Sequence, residues 1–171
     1  MEQVRTLNLL GAFALSVADT LTTATEAAAG YGGETPAALV TLGVEPGISI
    51  DALRHILNLS HPGTVRLVDR LQSQGLVERR AGTDGRTLAL FLTEAGGQRR
   101  QDILSHRRQQ LQLVVSSLTS RDRNQLSQLL EKMLTAMTTT EVRAFSICRL
   151  CEEEVCEHCP VEQRYGQIVQ P

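Results

Sequence analysis

Residues 60–96 read SHPGTVRLVDRLQSQGLVERRAGTDGRTLALFLTEAG and contain a complete helix-then-hairpin pattern. Ser60 is a good N-cap for a helix, and Gly75 supplies the left-handed stop that ends many helices. The stretches 76–80 and 88–92 have strand composition and flank a turn with an Asp-Gly pair, which is a strong hairpin signal. The pattern therefore predicts one helix followed by a two-stranded β-hairpin.

A second short helix is predicted immediately upstream. It starts at Ser49 or Ile50, carries apolar side chains at Leu53 and Ile56, and is separated from Ser60 by a tight turn. Two short helices joined in this way are typical of a helix-turn-helix, although many such pairs bind nothing. The following hairpin makes the combination a winged helix-turn-helix.

Longer helices are predicted at both ends of the chain. Residues 3–29 have apolar side chains at helical spacing, a short helix starts at Thr35, and Thr93 starts a helix to about Leu118. Ser120 is predicted to cap a further helix, whose apolar stripe comprises Leu126, Leu129, Leu130, Met133, Leu134 and Met137. One small winged domain cannot bury these stripes, so we expect them to pair across a two-fold axis. A coiled four-helix assembly or a single-chain bundle would also bury them.

The predicted fold class is mainly α, a winged helix-turn-helix with N- and C-terminal helices that form a dimerisation region. Four segments follow from this interpretation. They are an N-terminal dimerisation helix (1–34), the winged DNA-binding domain (35–98), C-terminal dimerisation helices (99–147) and a cysteine-rich metal-binding tail (148–171).

Composition narrows the function classes. With 42% hydrophobic and 21% charged residues the chain is an ordinary globular one, and no apolar run is expected to approach the roughly 18 residues of a membrane span. Aromatic residues are only 3%, which argues against nucleic-acid binding by base stacking. The net charge is −2, yet residues 61–86 hold five Arg against three acids, while 148–171 hold two Arg against five Glu. A basic middle and an acidic tail indicate two separate tasks.

The wing carries a family resemblance. The pattern Asp84-x-Arg86-x-x-x-Leu90-x-Leu92-Thr93-x-x-Gly96 resembles the wing signature of the MarR family of bacterial transcriptional regulators, and 60–80 is similar to that family's recognition helix and first wing strand. The resemblance covers about 7–139 and leaves the cysteine segment outside. It implies a cytoplasmic, nucleoid-associated homodimer that binds a pseudo-palindromic operator in duplex DNA as a repressor. It also implies a small-molecule effector in a crevice between the dimerisation and DNA-binding regions.

The residues expected to reach base edges lie near the N-terminus of the second helix, because that end enters the major groove. They are Ser60, His61, Gly63, Thr64 and Arg66, with Val65, Val68 and Leu71 predicted to face inward. Gly63 would let the backbone approach the DNA closely. Arg66 and Arg70 are candidates for guanine or phosphate contacts, although Arg70 is also suited to pair with a nearby carboxylate and His61 to lie in solvent.

The hairpin supplies the remaining DNA contacts. Arg86 at its tip is expected to enter the minor groove, with Asp84 holding the guanidinium extended. The alternative for this pair is a solvated turn with an incidental ion pair. Arg79 and Arg80, at the base of the wing, are expected to contact phosphates.

All four cysteines fall between Cys148 and Cys159, in the pattern C-x2-C-x4-C-x2-C. This spacing predicts that Cys148, Cys151, Cys156 and Cys159 hold one metal centre, because four adjacent thiolates repel one another without a cation. Zinc is favoured, and an iron–sulfur cluster is the close alternative, since 151–159 has a ferredoxin-like spacing. A disulfide-based thiol switch is a further alternative. His158 is expected to be a bystander, and the glutamates around the cysteines a solvated face.

The predicted function is a sequence-specific DNA-binding regulator whose cysteine centre is either structural or a sensor of metal or redox state. The alternative is a winged-helix protein-interaction module with a zinc-stabilised docking tail. No Gly-rich phosphate loop, catalytic triad motif or open zinc site is visible in the sequence, so we do not expect an enzyme.

Overall fold

The computed structural model describes residues 2–82 and 88–169. The helices are α1 (Glu2–Ala29), α2 (Thr35–Val44), α3 (Ile50–Leu57), α4 (His61–Ser73), α5 (Glu94–Val114), α6 (Ser120–Met137), α7 (Glu141–Cys148) and α8 (Pro160–Val169). The strands are β1 (Val77–Ala81) and β2 (Leu88–Leu92), and a single 3-10 turn spans Glu153–Val155.

Local signals fix the helix-turn-helix of α3 and α4. The Ser49 side chain accepts a hydrogen bond from the Ala52 N–H, and Ser60 accepts one from the Gly63 N–H, so each helix has a serine N-cap. Asn58 turns the chain between them in the left-handed conformation, with φ of 53°. The predicted helix-turn-helix is confirmed with its Ser60 cap, and of the two candidates for the start of α3, Ser49 is the cap and Ile50 the first helical residue.

The wing is an antiparallel pair in which Val77 faces Leu92 and Ala81 faces Leu88. A short third segment extends it, since the Leu90 N–H donates to the Ile48 carbonyl at 3.1 Å and the Gly47 N–H donates to the Leu90 carbonyl at 2.8 Å. The sequence pattern does not predict this pairing, because the segment is too short to show alternation. The predicted wing tip, Asp84 and Arg86, lies outside the described residues.

Helix α4, the wing and α5 meet at Thr93. Its hydroxyl donates to the Gly75 carbonyl at 2.6 Å and accepts from the Gly96 N–H at 3.1 Å. Its own N–H donates to the Leu76 carbonyl at 3.1 Å. One residue therefore joins the end of α4, the end of the wing and the start of α5.

The core lies under α2, whose residues from Thr35 to Leu42 are all buried. Side chains from every neighbouring element reach it, and the largest fully buried ones are Leu39, Leu42, Leu53, Leu71, Leu90, Ile103 and Leu104. On α5, the Arg100 side chain lies against Gly43 of α2, where any side chain at that glycine would overlap it. The adjacent Arg99 donates to the Ala29 carbonyl at the end of α1 at 2.8 Å. These contacts tie α5 to both α1 and α2.

Two helices have a long exposed apolar face. The face on α1 includes Leu7, Leu10 and Phe13, and Leu7 is 63% exposed. Helix α6 has no buried residue, and its Leu129, Leu130, Met133 and Met137 are all exposed. These are the stripes that the sequence assigns to a dimer interface, and within one chain they remain uncovered.

Helix α1 also meets the length and composition criteria for a membrane span, since an 18-residue window has a mean hydropathy of 1.3. The expectation that no apolar run approaches span length is therefore wrong for this segment, because residues 6–18 contain no charged side chain. The same composition suits a helix that packs against protein, and α1 packs extensively along α5.

The C-terminal helices differ from expectation in two ways. Helix α5 ends at Val114, one turn before Leu118. The N-cap of α6 is Thr119, not Ser120, because Thr119 and Asp122 form a reciprocal capping box. The cysteines themselves lie between two helices, α7 before them and α8 after them.

Alanine substitutions at two adjacent glycines test the Thr93 junction, because they should change the free energy of unfolding in opposite directions. A Cβ at Gly96 would overlap the Leu76 carbonyl, whereas at Gly97 it would meet nothing within 4 Å. Gly96→Ala should lower the free energy of unfolding by about 1–3 kcal/mol through overpacking. Gly97→Ala should raise it by about 0.5–1 kcal/mol, because alanine loses less backbone entropy in a helix. Denaturant titration at one protein concentration measures both, and equal effects would contradict the junction.

Candidate functional site

The exposed face of α4 is the candidate nucleic-acid interface. His61 and Arg66 are both exposed on it, and Ser60 lies at its start. Within the described part of the chain, the structure records no hydrogen bond or ion pair for Arg66. Its guanidinium is therefore available to an external partner.

Thr64 does not belong to this face. It is 0% exposed, and its hydroxyl donates to the Ser60 carbonyl at 3.1 Å. The expectation that it contacts a base is wrong, because it shares one helix face with Leu67, Val68 and Leu71, which pack into the core. Val65, predicted to face inward, is half-exposed instead.

Gly63 lies at the N-terminal turn of α4 and is half-buried. A Cβ there would approach the Ser60 hydroxyl oxygen at 3.1 Å, so the glycine leaves room for the cap. Its predicted close approach to DNA stays a prediction.

Arg70 is held by the protein. Its guanidinium donates to the Thr35 hydroxyl at 2.8 Å and lies 5.8 Å from the centre of the Tyr31 ring. Its partners are thus a hydroxyl and an aromatic face, not the carboxylate that the sequence suggests. These contacts fasten the last turns of α4 to the start of α2.

Arg79 connects the wing to the recognition helix. Its guanidinium pairs with Asp69 at 2.6 Å and also donates to the Gln72 side chain, so two neighbouring turns of α4 hold one wing arginine. The side chain is mostly covered, at 18% exposure. The predicted contact of Arg79 with a DNA phosphate would have to compete with these bonds to Asp69 and Gln72. In the structure, Arg79 fixes β1 relative to α4.

Arg80 is the more accessible wing arginine. It pairs with Glu78 and lies over the Phe91 ring, 4.6 Å from the ring centre. A hydrogen bond from Arg54 lowers the pKa of the Asp51 carboxyl group on α3, and the guanidinium balances its charge. Asp51, Asp69 and Glu78 therefore all have basic partners, which reduces their repulsion of an anionic ligand.

The four cysteines form a second candidate site. All four line one cavity of about 190 Å³, together with apolar side chains that include Phe145 and Val161. Cys148 ends α7, the Cys151 N–H donates to its carbonyl at 2.7 Å, and Cys159 immediately precedes α8. The structure thus brings together the residues that the sequence grouped.

The thiols influence one another's ionisation. The neighbouring Cys148 thiol lowers the pKa of Cys151 to about 6, and the Cys151 thiol in turn raises the pKa of Cys148. Burial, with Cys159 nearby, raises the pKa of Cys156 to about 11. Over residues 2–82 and 88–169, however, no three His, Cys, Asp or Glu side chains have the spacing of a formed metal site. The thiols therefore surround the cavity without closing on one point.

The cavity is also lined by acids. Glu45, Glu153 and Glu162 border it, and burial followed by these acidic neighbours raises the pKa of Glu153. Thiolates and carboxylates around one small space favour a cation inside it. His158 is exposed and in the left-handed conformation, with φ of 59°.

The glutamates are not all a solvated face, as the sequence suggests. Glu152 receives two hydrogen bonds from Arg108 of α5, one of them at 3.1 Å, and its side chain is only 13% exposed. Glu154 lies 4.0 Å from the buried Arg100. The cysteine segment is therefore fastened to α5 on one side, and α7 packs against α3 on the other. An open groove of about 470 Å³ remains between α3 and α7.

Comparison with known proteins supports the winged helix-turn-helix formed by α3, α4 and the wing. The sequence pattern of the MarR family matches residues 30–87. The transcriptional repressor MprA of Escherichia coli strain K12 is 32% identical over 107 residues, and the chain spans about 61% of the length of MprA. A MarR-family transcriptional regulator from Silicibacter pomeroyi superposes with a TM-score of 0.59 at 25% identity, covering 78% of this chain and 90% of that one. Residues 30–87 therefore match the MarR family pattern, and the chain resembles MarR-family regulators over most of its length.

The fold match extends beyond the family segment. YusO from Bacillus subtilis superposes with a TM-score of 0.66 at 20% identity, over 79% of this chain and 97% of YusO. The MarR match at 30–87 contains α2, α3, α4 and β1, and it ends before the cysteines begin. The cysteine segment is therefore an addition to what defines the MarR family.

Several residues that hold the site together were not predicted from the sequence. Asp69 and Gln72 were detectable in principle, because they lie on one face of α4 facing the wing. Tyr31 and Arg108 were not, since their partners are 39 and 44 positions away along the chain.

Proposed function

We propose that this chain is a sequence-specific DNA-binding transcriptional regulator, a repressor that acts as a homodimer in the bacterial cytoplasm. The proposed activity is binding, not catalysis. The observation that carries it is Arg66 on the exposed face of α4, which has no hydrogen bond or ion pair with the described residues, beside a wing that Arg79 holds to the same helix. A helix with a free N-terminal face and a fixed neighbouring hairpin suits one major groove and the adjacent minor groove.

The homodimer is supported by the uncovered apolar faces of α1 and α6. A net charge of −2 gives little long-range attraction to DNA, so one winged domain with few phosphate contacts would bind weakly. Two recognition helices related by a two-fold axis would address a pseudo-palindromic operator and double those contacts. The groove between α3 and α7 is the place for a small-molecule effector in this proposal.

A thiophilic metal centre at the four cysteines is the second part of the proposal. It is supported by the convergence of four thiols and three carboxylates on one cavity of about 190 Å³. Four thiolates suit either a zinc ion or an iron–sulfur cluster, and zinc is the ordinary occupant of such a site. Binding would draw the thiols inward from their present spacing.

Arg66 and Arg70 provide a matched pair for the DNA interface. Arg66→Ala should weaken binding to a duplex selected from a random library by roughly 5- to 150-fold, because one base or phosphate contact is lost. Arg70→Ala removes the same charge from the same helix, but its guanidinium is engaged with Thr35, so we expect a loss below about 3-fold. Fluorescence anisotropy over a salt series measures both. Failure of the wild-type chain to select any duplex would instead favour the protein-interaction module.

The dimer interface is tested on α6. Leu130→Asp should convert the protein from a particle of two 18.7 kDa chains to one, because a charge would be buried in an apolar contact. Leu88→Asp, at another exposed leucine but on the wing, should leave the dimer intact. Sedimentation velocity distinguishes the species, and a wild-type monomer would overturn the proposal.

The metal centre is tested by composition. Anaerobically purified protein should contain stoichiometric zinc without colour, or iron and sulfide with a broad visible band. Cys151→Ser should lose the metal. His158→Asn should keep it, since asparagine removes the imidazole and tolerates the left-handed backbone. Metal-free wild-type protein, or disulfides among the four cysteines, would contradict the centre.

A further inference from the structure

Helix α6 has little attachment to the rest of its own chain. Within the described residues, α8 is the element against which it packs substantially, and its contacts with any other element are marginal. No α6 residue is buried. If α6 lies in the dimer interface, its position relative to the winged domain depends on what holds α8.

Helix α8 is held through the cysteines and α7. Cys148 ends α7 and Cys159 precedes α8, and both residues line the same cavity. Between them, 149–159 has only one 3-10 turn. Helices α7 and α8 also contact each other directly, since the ring centres of Phe145 and Tyr165 are 5.7 Å apart and the Tyr165 hydroxyl donates to the Glu141 carboxylate at 3.1 Å.

Helix α7 in turn packs on the DNA-binding domain. It contacts α3, the first helix of the helix-turn-helix, and Phe145 packs against the buried core. The Glu152 pair with Arg108 fastens the following loop to α5. A continuous path of contacts therefore runs from α6 through α8, the cysteines and α7 to α3.

We propose that the four-cysteine centre is the joint that couples the dimerisation helix α6 to helix α3, so that loading with a thiophilic metal sets the affinity for the operator. This inference rests on the proposed function, and it makes the centre regulatory in addition to structural. A bound metal fixes the end of α7 to the start of α8. Without the metal, the connection between these two ends depends on the loop 149–159 and on the contacts of Tyr165 with Phe145 and Glu141.

Loss of the metal should leave the dimer intact, but the spacing of its two recognition helices should no longer be fixed. Helix α1 is fastened to α5 independently, through Arg99 and extensive packing, so one of the two apolar faces keeps its geometry. The two half-sites of an operator lie about 34–36 Å apart, so an unfixed spacing penalises simultaneous contact. Non-specific binding depends mainly on phosphate charge and should change little.

The experiment compares the full chain, as purified with its metal, with the same protein after anaerobic chelation. The metal-free form should bind the selected duplex at least 10-fold more weakly, and a scrambled duplex equally well within about 2-fold. Equal affinity of both forms for the selected duplex would overturn the coupling while leaving the proposed DNA binding intact. If no duplex is selected, the proposed function fails. The part of this inference that concerns operator affinity then fails as well.

Hydrogen exchange tests the joint without DNA. Chelation should raise amide exchange in α3, α7 and α8 and leave α1 and β1 unchanged. Unchanged α3 amides would overturn the joint even if operator affinity falls.

Phe145→Ala breaks the path without touching a cysteine. The variant should keep stoichiometric metal, bind the selected duplex more weakly, and respond to chelation less than 2-fold. Val155→Ala, at an exposed residue of the same segment, should behave as wild type. If Phe145→Ala does not fold, Glu152→Gln replaces it, with the exposed Glu157→Gln as its matched control. Wild-type sensitivity to chelation in a folded, metal-loaded Phe145→Ala or Glu152→Gln variant would overturn the proposal.

Discussion

The three hydrogen bonds of Thr93 are the constraint on which the winged domain depends. They join the turn after α4, the end of β2 and the first turn of α5 at distances of 2.6–3.1 Å. The direction of α5 follows from this junction, and with it the placement of α1 and of the arginines that α5 presents to the rest of the chain. The neighbouring Gly96 is needed because the Leu76 carbonyl occupies the space of a side chain.

The arginines of the basic segment have different tasks, although they look equivalent in the sequence. Arg70 holds α4 to the start of α2, and Arg79 holds the wing to α4. Arg66, by contrast, has no hydrogen bond or ion pair with residues 2–82 or 88–169. Two structural arginines thus orient the surface that a third presents, and this explains why an acidic chain keeps a basic middle segment.

The parts of the fold with local signals were predictable, and the parts that depend on distant residues were not. Ser49, Ser60 and Gly75 mark helix ends by their own chemistry, so α3, α4 and the hairpin follow from the sequence. The inward position of Thr64 was also available, because it precedes Leu67, Val68 and Leu71 by three, four and seven residues. By contrast, the pairing of Glu152 with Arg108 crosses 44 positions, and no periodicity within either segment indicates it.

The two tyrosines give the molecule built-in optical reporters. The chain has no tryptophan, so Tyr31 and Tyr165 account for its near-ultraviolet emission. Tyr31 lies beside Arg70 at the recognition helix, and Tyr165 meets Phe145 edge-on next to the cysteines. Each ring therefore senses one of the two sites, and replacing either with phenylalanine leaves a single fluorophore that reports on the other alone.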